Sequence, residues 1–163
     1  MHTHKIDETD LILLNILQMQ GRTKRNELAE KVNLSIPSVS ERLRKLEEDG
    51  VIRGFNAVLD ARKVGLEVMA FIFLTTESSK SYPKVIEHAQ KEEEVLECHA
   101  ITGEGSHLLK VRTQNTSALE SLLSRIQSWP GVLSTRTSLV LSSPKETTVL
   151  PLRQLQKASV AGR

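Results

Sequence analysis

Aromatic side chains are scarce: three Phe, one Trp and one Tyr make up 3% of 163 residues. Any core must therefore be built mainly from Leu, Ile, Val and Ala. There is a single cysteine, Cys98, which excludes an intrachain disulfide and suits a reducing compartment. The first residues, Met1-His2-Thr3-His4-Lys5, lack the apolar stretch of a signal peptide. No apolar run approaches the roughly eighteen residues of a membrane span. A cytoplasmic protein away from membranes is expected. The apolar fraction of 39% and charged fraction of 26% fit a globular chain with one large or two small domains.

Excess charge of either sign is also missing. The formal net charge is +2. Residues 1–60 hold 9 Lys/Arg against 10 Asp/Glu, residues 61–150 hold 10 of each, and the tail holds 3 cations and no acid. A nucleic-acid role therefore depends on how cations are grouped on one face.

Asp7 is suited to cap a helix running to about Met19, and Asp10 adds negative charge to its first turn. Leu11, Ile12, Leu13, Leu14, Ile16 and Leu17 cover more than one side of it, so two bodies should pack there, one of them a partner chain. A second helix is expected from Lys24 to Val32, capped by Thr23, with Leu28, Ala29 and Val32 inward. Asn33 tolerates the left-handed conformation of a sharp turn. Ser35 then caps a third helix, to about Asp49, with Pro37 in its first turn. This spacing predicts a helix-turn-helix. On the third helix Val39, Leu43 and Leu46 form the inward stripe. Ser38, Glu41, Arg44 and Lys45 point away from it, and Ser40 and Arg42 flank it. Val51 to Leu59 reads as a short strand or hinge broken at Gly54, with the domain boundary near residue 60.

The second half predicts strands over Glu67–Glu77, Val95–Thr102, Ser106–Thr113 and Val132–Leu141. Helices should lie over Ser81–Lys91, capped by Ser81, and from a capping box at Ser117 and Glu120 to about Trp129. The order is βαββαβ, a ferredoxin-like unit. Val68, Ala70, Ile72 and Leu74 alternate with Met69, Phe71 and Phe73, so the first strand is apolar on both faces. Two helices cover only one face of such a sheet, which leaves the other for a second subunit. An edge strand over Thr147–Leu152 could join subunits.

Other chemistries find little support. Cys98 and His99 are adjacent on a strand and point to opposite faces, so no metal or cofactor is expected. No nucleophile elbow, Gly-rich phosphate loop, His-x-x-x-His or carboxylate pair marks an enzyme. RNA recognition needs aromatics on both central strands, and Ser106–Thr113 has none. A ligand-binding enzyme or metabolic sensor on the ferredoxin-like fold, without a DNA role, stays the competing class.

Taken together, the residues resemble the Lrp/AsnC family, the leucine-responsive, feast/famine transcription regulators. The resemblance runs from Ile6 to about Leu141. It rests on Ile6-Asp7-x-x-Asp10, Gly21-Arg22, Glu27-Leu28-Ala29, Leu34-Ser35 and Arg42-Leu43-x-x-Leu46-Glu47-x-x-Gly50-Val51-Ile52. It continues through Ala57-Val58-Leu59-Asp60, Gly65, Glu97-Cys98-His99, Thr102-Gly103, Leu108-Leu109, Pro130-Gly131-Val132 and Thr135-x-Thr137. It implies an α+β chain: a winged-helix-like DNA-binding domain over 1–60, and a βαββαβ effector and oligomerisation domain over 61–150. The tail, 151–163, is expected to be partly disordered, with Lys157–Arg163 fully so. The implied partners are double-stranded DNA, further copies in a homodimer, octamer or other ring, and an amino-acid effector between subunits. In the family the turn before the third strand reads Gly-x-x-Asp and then an aromatic. Here it is Gly103-Glu104-Gly105-Ser106-His107, with Glu104 as the nearest carboxylate for an ammonium group.

The expected DNA contacts are Ser38, Glu41, Arg44 and Lys45 in the major groove, with Ser40 and Arg42 at its edge. Arg22, Lys24 and Arg25 should meet phosphates, as should the backbone N–H groups behind Ser35. The expected effector contacts are Gly103, Glu104, Gly105, Ser106 and His107. The resemblance adds Thr135 and Thr137 as the second wall. The same turn also fits a plain hairpin that needs glycine.

Overall fold

Side-chain caps set two of the first three helices in the computed structural model, which describes residues 5–152. Helix α1 spans Glu8–Met19 behind Asp7, whose side chain accepts from the Asp10 N–H while Asp10 accepts from the Asp7 N–H. This reciprocal box satisfies two amides that the helix leaves without partners. Helix α2 spans Arg25–Val32. Its N-cap is Lys24, without a side-chain cap bond, and not Thr23, whose hydroxyl donates instead to the Gln20 carbonyl. Asn33 takes a left-handed φ of 52° and turns the chain. Helix α3, Ile36–Glu48, follows the Ser35 cap. Leu13, Leu17, Leu28, Ala29, Val39, Leu43 and Leu46 form the buried core of the three helices.

No strand follows α3. The stretch 51–60 forms neither helix nor strand, and Val58 and Leu59 stay exposed. A strand needs a neighbour for its backbone bonds, and none of the four strands pairs with this stretch.

Those four strands are β1 (Val68–Thr76), β2 (Val95–Ala100), β3 (His107–Thr113) and β4 (Val132–Leu139). They form an antiparallel sheet in the order β2-β3-β1-β4. Helix α4, Tyr82–Lys91, follows a single 3-10 turn at Ser79–Ser81. The expected Ser81 cap is not made: its backbone is already helical, which aims the side chain away from the N–H groups. Helix α5, Thr116–Gln127, is capped by Asn115, which accepts from the Ala118 N–H at 2.9 Å. The helix thus starts one residue before Ser117, and no capping box with Glu120 arises.

Both helices lie on one face of the sheet. There Ala70, Ile72, Leu74, Leu109 and Val111 pack against Val85, Ala89, Leu119, Leu122, Ile126 and Trp129. On the other face Phe71, Phe73 and Leu108 are only half-buried.

The chain divides into two compact units. One is Leu59–Pro144; the other reaches Val58 and takes in the segment from Lys145. Within this chain the stretch 147–152, expected as an edge strand between subunits, is neither helix nor strand. Instead the Gln18 side-chain amide on α1 binds the Leu150 backbone from both sides, Nε2 to the carbonyl and Oε1 from the N–H, each at 2.9 Å. Val149–Leu152 thus lies beside Ile12, Ile16 and Met19, and part of the second apolar side of α1 is met within the chain. The expected disorder of Lys157–Arg163 falls outside the described residues.

Candidate DNA-binding face and effector hollow

Helix α3 presents two opposed faces. Val39, Leu43 and Leu46 are buried, and Ser38, Glu41, Arg44 and Lys45 are exposed. At the N-terminus the Ser35 hydroxyl accepts from the Ser38 N–H at 3.3 Å and shares a hydrogen with the Ser38 hydroxyl at 2.8 Å. Arg22 and Lys24 are exposed ahead of α2. Arg25 reaches across to α3, donating to the Ser40 hydroxyl at 3.2 Å.

The cations of α3 are not bare. Arg44 donates from Nε and Nη2 to the Glu41 carboxylate, at 2.9 and 2.6 Å, and pairs through Nη1 with Glu48. Lys45 lies 3.7 Å from Glu41. The Arg44 guanidinium holds the Glu41 carboxyl below its ordinary range, by hydrogen bonding first. These pairs are exposed, and such pairs contribute little to stability. A phosphate or base edge can displace them cheaply.

Arg42 is placed differently. It turns toward α1, where Nη1 meets Asp7 at 2.7 Å and Asp10 at 2.9 Å. Asp10 is fully buried.

In the second unit strand alternation decides which side chains meet. Phe73 pairs with Arg136 and Thr75 with Ser134, all on the helix-free face. With Glu104 and Gly105 they line a hollow of about 370 Å³. Arg136 lies over the Phe73 ring, 4.6 Å from its centroid, and its guanidinium is ion-paired with Glu104. Thr135 and Thr137 are one residue out of phase. They pair with Leu74 and Ile72 on the helix face, where Thr135 accepts from Gln127 of α5 at 3.0 Å. The structure therefore joins Glu104 and Gly105 to Ser134 and Arg136, and not to the two threonines. Gly103 is exposed beside them, and Ser106 turns under the loop, its hydroxyl donating to the Leu74 carbonyl at 3.2 Å.

His107 also faces the helices. It is 1% exposed, with its ring edge-on to Tyr82. Its Nδ1 is 3.0 Å from the Ser106 hydroxyl, and Nε2 has no partner. Burial pushes its pKa down, because a charge there would lose its hydration. The folded state then binds fewer protons than the unfolded state below the ordinary imidazole value. Stability is complete above that value and is lost as pH falls. The melting temperature is expected to drop between about pH 7 and 5, and to drop less in a His107→Gln variant. Equal pH profiles for the two proteins would remove His107 as the cause.

A family model described as winged helix-turn-helix DNA-binding matches residues 6–53, and one described as Lrp/AsnC ligand binding domain matches residues 68–150. An HTH-type transcriptional regulator of Pyrococcus abyssi is 37% identical, covering 91% of this chain and 97% of its own. The leucine-responsive regulatory protein of Escherichia coli K12 is 35% identical, with 91% and 92% covered. A solved transcriptional regulator from Neisseria meningitidis in complex with L-Met superposes with a TM-score of 0.86 at 35% identity, over 93% of this chain and 99% of that one.

Proposed function

Since this chain belongs to the Lrp/AsnC family of helix-turn-helix transcription regulators, we propose that it reads double-stranded DNA through α3, as a homodimer or a larger ring, under control of a zwitterionic amino acid. The first unit is the DNA-binding half and the second the effector and assembly half. The observation that carries the reading is the split of α3, with an apolar stripe against the core and Ser38, Glu41, Arg44 and Lys45 outward behind a capped N-terminus.

Assembly is supported by the half-exposed Phe71, Phe73 and Leu108 and by the exposed, unpaired Val58 and Leu59. The effector reading is supported by the hollow at Glu104 and Arg136. A guanidinium suits a carboxylate and a carboxylate suits an ammonium group. A free amino acid brings both, and so replaces the internal pair with two external ones. The relative from Neisseria meningitidis, solved with L-Met, supports this choice of ligand class.

Lys24 tests the phosphate contacts. Lys24→Ala is expected to weaken binding to all duplexes alike and to lower the slope of log affinity against log salt by about one. An unchanged slope would take Lys24 out of the interface.

A further inference from the structure

Arg42 is flanked by the inward stripe of α3, and its guanidinium is committed elsewhere than to solvent. It is bonded to Asp7 at 2.7 Å and to Asp10 at 2.9 Å. Its side chain is 28% exposed, and that of Asp10 is 0% exposed. The two carboxylates are also the two halves of the box that starts α1. One side chain thus ties the first turn of α1 to the middle of α3. A buried carboxylate keeps its charge only beside a cation and hydrogen-bond donors, and Arg42 supplies such a cation to Asp10.

We propose that Arg42 is a positioning residue and not a DNA contact: with Asp7 and Asp10 it forms an ionic clamp that fixes the angle at which α3 presents Ser38, Glu41, Arg44 and Lys45. The inference rests on the DNA-binding reading above. Base recognition requires donors held within roughly 0.5 Å of their productive places. The apolar packing of α3 on the other two helices, through Val39, Leu43 and Leu46, resists separation better than it resists sliding, since such packing is not directional. Hydrogen bonds between a planar guanidinium and two carboxylates are directional. The hydrophobic core therefore holds the helices together, and the clamp sets their register.

The test uses the full chain with Arg42→Gln, Asp10→Asn, the double variant and Arg42→Lys. Two duplexes serve as probes: one selected from genomic fragments by the parent protein and a scrambled one of equal length. Binding is measured well below each variant's melting point. Both single neutral variants are expected to lose roughly tenfold in affinity for the selected duplex, and the double variant no more than either single, as coupled groups do. Scrambled-duplex affinity and the salt slope should stay at the parent's values, because no phosphate contact is removed. Arg42→Lys, which keeps the charge but serves one carboxylate, should fold and show a smaller loss. It carries the test if a neutral variant fails to fold. Asp10→Asn binding the selected duplex as tightly as the parent would overturn the clamp. So would a salt slope lowered by about one in Arg42→Gln, or parent-like affinity in Arg42→Lys should the neutral variants not fold. A parent that binds neither duplex would instead sink the DNA-binding reading itself.

Discussion

A chain carrying Ser38→Ala, Arg44→Ala and Lys45→Ala together is expected to melt within about 2 °C of the parent and to bind its selected duplex about a hundredfold more weakly or worse. The two halves of this result have separate causes. All three side chains are exposed, and the ion pairs that Arg44 and Lys45 make with Glu41 and Glu48 lie in solvent. Their removal leaves no buried group without a partner, so the fold hardly registers it. On the proposed reading the same groups would contact base edges and phosphates in the complex, where each lost contact is felt in full. Ser38→Ala also removes the hydroxyl that shares a hydrogen with Ser35, but the Ser35 cap on the backbone N–H remains. Thermal melting and a binding isotherm on the same preparation check both halves. A large loss of melting temperature with little loss of binding would reverse the assignment of this face.

Gly105→Ala is expected to destabilise the second unit by about 2–5 kcal/mol, whereas Gly103→Ala should cost about 1–2. Both glycines have φ near +90°, a region where a Cβ is penalised. They differ in what the Cβ would meet. At Gly103 nothing lies within 4 Å, while at Gly105 the new atom would sit 2.7 Å from the Leu74 carbonyl oxygen. That oxygen is held in place, since it accepts from the Ser106 N–H at 2.7 Å and from the Ser106 hydroxyl. Neither partner can retreat without breaking the seam between the turn and β1. Because Gly105 and Glu104 line the hollow, the same variant should also weaken any ligand bound there. Chemical denaturation of the two alanine variants checks the difference. Equal losses would mean that the close approach at Gly105 is relieved at no cost.

The caps of α1 and α3 and the apolar stripes were the legible part of this chain. Asp7 and Ser35, Asn33 at the turn, and the two-faced alternation of β1 all carry a local signal strong enough to read without coordinates. Where the structure places a residue otherwise than expected, the deciding partner mostly lies elsewhere in the chain. Arg42 flanks the α3 stripe, where a long side chain can reach either way, and the choice is made by Asp7 and Asp10 on another helix. Strand β4 reads Val132-Leu133-Ser134-Thr135-Arg136-Thr137-Ser138-Leu139, polar on both faces, so alternation alone does not say which residues turn inward. Its register with β1 does, and it puts Ser134 and Arg136 in the hollow in place of Thr135 and Thr137. Asn115 and Ser117 compete as caps two residues apart, and the earlier one wins. The Thr147–Leu152 stretch has strand-like residues, and within one chain its Leu150 backbone is held by a side-chain amide on α1.

Sequence-specific reading of duplex DNA is tested by comparing affinities for two duplexes at physiological salt. One is the fragment this protein selects from the genome of its source; the other has the same length and composition in scrambled order. A preference of about a thousandfold or more for the selected duplex is expected. Equal affinity for the two, with both falling steeply as salt rises, would show a chain held by phosphates alone and would contradict sequence-specific reading.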